Sequence, residues 1–200
     1  MEIKRIVSEG LDENCYLLIN GKDAILIDPG EDTFKILKEC ENYNVKYILL
    51  THCHFDHIFS LSELKGQKTV LGSFNLMRNI TNPKITFLSH RRNLEGKIDG
   101  YFEDGEVKNL CGIDIKCIYT KGHTDCSVCF LAENCLFSGD TLFFENVGRW
   151  DFETGNYREL ENSIRNILYK LPDVTKVYPG HGKETAIGHE KKNGFFKEEK

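Results

Sequence analysis

The seven residues THCHFDH, positions 51–57, hold three histidines and an aspartate and follow directly on the apolar run VKYILL. Imidazole nitrogen combined with carboxylate oxygen suits zinc, iron or manganese better than calcium or copper(I). In an extended segment His52 and His54 face the same way, while the turn that follows carries Asp56 and His57 toward a second position. That spacing serves two metal ions better than one. Three more groups close apolar runs later in the chain: His123 in TKGHTD, Asp140 in FSGDTLF and His181 in YPGHG. A carboxylate at Asp140 is suited to bridge two cations and leave a position open for solvent, which a catalytic centre needs and a structural one does not. A lone histidine is most often a satisfied core or surface residue, and His90 and His189, which lack such company, read as surface residues.

To converge, these groups must sit at the ends of neighbouring strands. CYLLI and AILIDPG flank Asn20-Gly21, a strong hairpin signal. DTFKILKECENYN spaces Phe34, Leu37 and Cys40 as one helical face, with Asp32 or Thr33 as its cap, ahead of a strand over 45–50. DHIFSLSELKG places Ile58, Leu61 and Leu64 on a helix ended by Gly66. From about 72 to 106 no period is sustained, which predicts an irregular, loop-rich insertion. Four strand-like runs follow (EVKNL, GIDIKCIY, SVCFLAE, CLFSGD), then a helix with Leu160, Ile164, Ile167, Leu168 and Leu171 on one face, then the strand TKVYPG. The charged ending HEKKNGFFKEEK is the segment most open to fraying. Two halves, each of strands followed by helices, predict two sheets packed face to face with helices outside, in one domain over residues 1–200.

The net charge of -5 over 200 residues is spread along the chain and offers no footprint for nucleic acid or an anionic membrane. No run approaches the roughly 20 apolar residues of a membrane span, and the start, MEIKRIVSEG, lacks the apolar core of a secretory signal, so a cytoplasmic location is expected. Most of the eight cysteines lie in apolar runs and read as buried thiols. Strand alternation turns Cys53 away from the metal-facing histidines.

THCHFDH resembles the HxHxDH motif of the metallo-β-lactamase superfamily, and His123, Asp140 and His181 follow in the order that superfamily uses. The resemblance extends over nearly the whole chain, NCYLLI and AILIDPG included. It implies an α/β fold, the αβ/βα four-layer metallo-β-lactamase sandwich, with metals at one edge of the paired sheets. GDTLF, GRWDF, YPGHGKET and IGHEKKN are similar to the glyoxalase II (hydroxyacylglutathione hydrolase) branch, its short bacterial members in particular. By that resemblance His52, His54 and His123 hold one metal, Asp56, His57 and His181 hold the other, and Asp140 bridges. Arg149 matches a basic residue that contacts the glutathione carboxylate in longer relatives, a task suited to a guanidinium. The chain departs from the pattern at Asp125 and Cys126, where many relatives have proline and glycine, and at Trp150 of GRWDF. It also ends soon after His181, where full-length glyoxalase II continues into a helical glutathione-binding domain.

The resemblance implies a hydrolase that cleaves a thioester, S-lactoylglutathione or a related 2-hydroxyacyl thioester, by attack of a metal-bridging hydroxide. The cofactors would be two divalent ions, zinc first, with iron or manganese as alternatives. Asp56 reads first as an orienting ligand and second as acceptor of the water's proton. A thiolate leaves without a strong general acid. Two other readings stand beside this one. A persulfide dioxygenase of the same fold would hold a single iron on His54, His123 and Asp140, and glycine before the last histidine in YPGHG weighs against it. A non-enzymatic redox or binding domain would use CSVC, residues 126–129, yet positions three apart in a strand face opposite ways. Phe143, Phe144 and Trp150 are placed to wall a cleft, although aromatic residues in such runs are more often core.

Overall fold

The computed structural model describes residues 1–87 and 97–197. His90 lies outside them. Two six-stranded sheets form the frame. The first has the order β1 (Glu2–Val7), β2 (Asn14–Asn20), β3 (Asp23–Ile27), β4 (Asn44–Leu49), β5 (Thr69–Ser73), β6 (Gly100–Phe102). Its first three strands are antiparallel and the rest parallel. The second sheet has β7 (Val107–Leu110), β8 (Ile113–Tyr119), β9 (Val128–Ala132) and β10 (Cys135–Gly139) in antiparallel sequence, then β13 (Lys176–Pro179) parallel to β10 and β14 (Thr185–Ala186) at the edge. A small ribbon, β11 (Leu142–Phe143) with β12 (Asn146–Val147), lies between β10 and β13 in the chain.

Alternation along the buried strands sorts the apolar residues into three cores. Leu17 and Ile19 of β2 and Ala24 and Leu26 of β3 face outward to a layer of short helices, where they meet Ile36, Ile58, Leu61 and Leu76. Leu18, Ile25 and Ile27 face inward and pack against Ile115, Phe130 and Phe137 of the second sheet. On that sheet's far side Cys129, Leu136 and Val177 meet Leu160, Ile164 and Leu168. The result is the four-layer sandwich the sequence implied, because β2 and β3 are apolar at consecutive positions and so need a partner on both faces.

Several local expectations require correction. The hairpin loop is Gly21-Lys22, with Asn20 still in β2, and Gly21 takes φ +64. Helix α1 (Thr33–Cys40) is capped by Asp32, but it buries Ile36, while Phe34 is 78% and Leu37 48% exposed. Ile36 and Cys40 are four apart and share a stripe, and apolar spacing alone could not choose between two stripes that both carry apolar residues. The run after the histidines is two single turns, α2 (Phe55–Ile58) and α3 (Leu61–Leu64), whose Ile58, Leu61 and Leu64 are all buried as expected. The expected irregular insertion begins at the end of β5 and contains α4 (Phe74–Asn79), α5 (Pro83–Thr86) and β6. These pieces are too short to show a period. The last long helix begins as α6 (Tyr157–Asn162), widens to a π-turn over Ser163–Ile167 and tightens over Leu168–Lys170, yet still buries Leu160, Ile164 and Leu168. Within the charged ending, α7 (Ile187–Asn193) buries Ile187 in the third core and Phe196 packs there with it.

Candidate metal centre

The two sheets are stitched together where β4, β10 and β13 end. The N–H of Val128, at the start of β9, donates to the Thr51 carbonyl at 2.9 Å and that of Asn14 in β2 to the Gly180 carbonyl at 2.7 Å, while the Gly180 N–H donates to Gly139 at 2.8 Å and extends the pairing of β13 with β10. From this seam the structure brings all seven sequence-selected groups together. Ligand atoms of His52, His54 and His123 lie within 4.8 Å of one another, as do those of Asp56, His57 and His181. Asp140 stands between the two sets. Its Oδ1 is 3.3 Å from His57 Nε2, and its Oδ2 is 3.6 Å from both His123 Nε2 and His181 Nε2. Gly180 makes room for it, since a Cβ there would overlap Asp140 Oδ1.

Each ring is aimed by a partner behind it. His123 Nδ1–H donates to the Arg149 carbonyl at 2.7 Å and His181 Nδ1–H to Leu11 at 3.1 Å. Asp28 accepts from Thr51 N at 2.7 Å and Thr51 Oγ1 at 2.6 Å, and His57 Nδ1–H donates to it at 3.0 Å. The Thr51 hydroxyl proton is thereby used, so His52 Nδ1–H donates to Thr51 Oγ1 across 3.1 Å. Four imidazoles therefore turn a bare Nε2 toward one space, and His54 turns its Nδ1 there, 2.9 Å from His123 Nε2. Such backing partners fix tautomer and orientation in metal sites. Asp28 and Thr51 were not singled out from the sequence. Asp28 was nonetheless signalled, because it closes the apolar run AILID just as Asp140 closes its own.

The electrostatics divide the same way. Burial holds His52 and His123 below the usual imidazole range and takes His54 down to about 3. Burial opposes charge on His57 too, but Asp140 and Asp56 overcome it and push its pKa up. Asp140 is held well down by His57 in spite of its burial. His52 Nε2, His57 Nε2 and Asp140 Oδ1 are buried without a hydrogen-bond partner. Orphaned polar atoms of this kind are costly unless something coordinates them. The donor set, neutral imidazoles plus carboxylates around a shared oxygen pair, fits divalent metal ions.

The centre opens into a cavity of about 340 Å³ lined by five of these ligands together with Phe55, Phe87, Phe143, Val147, Phe152, Asn146 and Arg149. Of the aromatic residues singled out from the sequence, Phe143 reaches the cavity, Phe144 stacks on His189, and Trp150 packs against Tyr157 and Phe195. Phe87 and Phe152 were missed because no periodicity marks them. Arg149 lines the cavity, but its guanidinium is paired bidentately with Asp151 at 2.8 and 2.9 Å and lies over the Phe152 ring. His189 keeps to the surface beside Glu145. Cys53 packs behind the ligands as expected and meets Cys126 at 3.5 Å between sulfurs, while Cys129 lies in a different core. The CSVC thiols thus do not face each other.

Two sheets with outer helices, carrying a histidine and aspartate centre at one edge, define the class. Residues 9–71 and 115–181 match the family model of the metallo-beta-lactamase superfamily, and the chain belongs to that superfamily, whose members are in general metal-dependent hydrolases. It is 33% identical to a probable metallo-hydrolase of Streptococcus pyogenes over 98% of this chain and 90% of that one. It is 32% identical to the hydroxyacylglutathione hydrolase GloC of Haemophilus influenzae over 98% of both. Among solved structures, the BLEG-1 B3 metallo-beta-lactamase superposes with a TM-score of 0.90 at 30% identity, covering 98% of this chain and 99% of that one. TTHA1623 in a di-iron-bound form superposes at 0.79 with 28% identity, covering 96% and 99%. No helix among the described residues is long and apolar enough to cross a membrane.

Proposed function

We propose that this chain is a binuclear metallohydrolase of small thioesters, with S-lactoylglutathione or a related 2-hydroxyacyl thioester as the type substrate. The observation that carries the reading is the pair of three-residue clusters on either side of Asp140. His52, His54 and His123 would hold one ion, Asp56, His57 and His181 the other, and Asp140 would bridge. Divalent cations held there, zinc first and iron or manganese otherwise, would make hydroxide available near neutral pH and would polarise a substrate carbonyl.

The chain's own residues do the rest. Asp28, Thr51 and the carbonyls of Leu11 and Arg149 keep the imidazole donors aimed before substrate arrives, so little reorganisation is left for the reaction. Asp56 Oδ2 lies 3.3 Å from His181 Nε2 and 3.8 Å from His57 Nε2, which suits an orienting ligand and leaves its second oxygen to take a proton. Among the described residues, the titratable side chains on the cavity wall are members of the ligand set apart from Arg149. A leaving group that departs as a thiolate needs no acid beyond these. The 32% identity to a hydroxyacylglutathione hydrolase and the motifs GRWDF and YPGHG support the same substrate class.

The test is release of glutathione from S-lactoylglutathione by zinc-loaded protein. Turnover that falls about 100- to 1,000-fold in Asp140→Ala is expected, because loss of the bridging carboxylate removes the metal-borne stabilisation of developing charge. Failure of the loaded protein to cleave any acyl thioester, together with oxygen consumption on glutathione persulfide by an iron-loaded sample, would replace this reading with the dioxygenase one.

A further inference from the structure

Phe87 occupies a backbone conformation that a bulky residue avoids. Its φ is +56 and its ψ +11, in the left-handed region, at the end of α5 where its N–H donates to the Pro83 carbonyl at 3.0 Å. Asparagine or glycine is the usual choice at such a helix end, and a phenylalanine there is an outlier that calls for a reason. Burial is not the reason, since the side chain stays 47% exposed. What the conformation achieves is placement. The ring centroid lies 5.2 Å from His54 and 5.3 Å from Phe152, and Phe152 in turn lies 5.1 Å from His54 and 5.9 Å from His123. Two aromatic rings therefore stand over the His54 and His123 side of the centre, with a half-exposed apolar face toward the cavity.

The polar side of the cavity offers little to compete with them. Arg149, the one cation on its wall among the described residues, is already paired with Asp151 and stacked over Phe152 at 4.4 Å. The Asn146 carboxamide oxygen accepts from the N–H of Val147 at 2.9 Å. A lactoyl group, with one methyl and one hydroxyl, would leave most of the phenylalanine surface in water. An aromatic or bulky apolar group would cover it.

We infer that Phe87 and Phe152 form a specificity wall that selects thioesters carrying an aromatic or bulky apolar group next to the scissile carbonyl. The inference rests on the thioester reading above and deepens it. The shared chemistry is the apolar group, and it can lie on the acyl or on the thiol side of the carbonyl.

The experiment compares kcat/KM of zinc-loaded protein in two arms: glutathione thioesters of acetate, lactate and phenylacetate, and acetyl thioesters of glutathione and benzyl mercaptan. At least a tenfold preference for the aromatic member is expected in one arm, and the arm that shows it identifies the side. In Phe87→Gly and Phe152→Ala the preference should shrink to threefold or less. Glycine suits a positive φ, so Phe87→Gly should melt no lower than the parent and retain the same metal content, which separates a lost wall from a lost fold. Equal or better turnover of S-lactoylglutathione, or an aromatic preference untouched in both variants, overturns the inference and leaves the thioesterase standing. No turnover of any thioester overturns both.

Discussion

Asp28 shows how much of this centre depends on a residue outside the ligand set. It binds Thr51 through two hydrogen bonds and His57 through a third, so it sets both the strand end that launches His52 and the ring of His57. Asp28→Ala should weaken metal binding about 10- to 100-fold, read by competition with a chromogenic chelator. An unchanged affinity would contradict the role given to it. The metal-free chain also carries a pH signature. His52, His54 and His123 have depressed values, so the unfolded chain binds protons that the native one refuses, and stability falls as pH drops below about 6.5. His57 and His181 are raised, so their contribution is complete below about 6.5 and is lost as pH rises through their folded values. Buried Glu13, also raised, loses stability with rising pH above about 4.5 and opposes the three depressed imidazoles without outnumbering them. The melting temperature of the chelated protein should therefore peak near pH 6.5, and a monotonic rise to pH 8 would contradict the assignments. At this scale the sequence was readable wherever a polar residue closed an apolar run. Phe87 and Phe152 gave no such sign, because their role depends on a left-handed turn and on a loop brought across from the other sheet.

At the scale of elements, strands were more readable than helices. A strand buried on both faces is apolar at consecutive positions, as CYLLI is, whereas α1 offers two apolar stripes and only the packed sheet chooses Ile36 over Phe34. Ile36→Ala should cost about 2–5 kcal/mol in chemical denaturation, as a truncation inside a closed core does. Phe34→Ser should stay within about 0.5 kcal/mol of the parent. The reverse order would mean that α1 docks on its other face. Short elements such as α4, α5 and β6 escaped sequence reading for a different reason. Runs of three to six residues cannot display a period, and neighbouring chain segments decide their conformation.

At the scale of the whole molecule, the halves meet at the metal edge, and the seam from Val128 to Thr51 and from Asn14 to Gly180 is what makes two separate sets of ligands one centre. That pairing of strand ends was foreseeable only as a possibility, since no pattern in the sequence specifies which strand of the second sheet faces which strand of the first. Each ion that binds the native state alone at about 1,000 times its Kd would add about 4 kcal/mol, so that two would add about 8. Removing both should therefore lower the melting temperature by roughly 20 °C for a chain of this size. Metal content per chain, measured on protein purified without chelator and on Asp140→Ala alongside, separates a binuclear centre from a mononuclear one. About two divalent ions per chain are expected, and at most one in the variant. A single iron per parent chain, retained with Asp56 or His181 replaced by alanine, would contradict the binuclear centre.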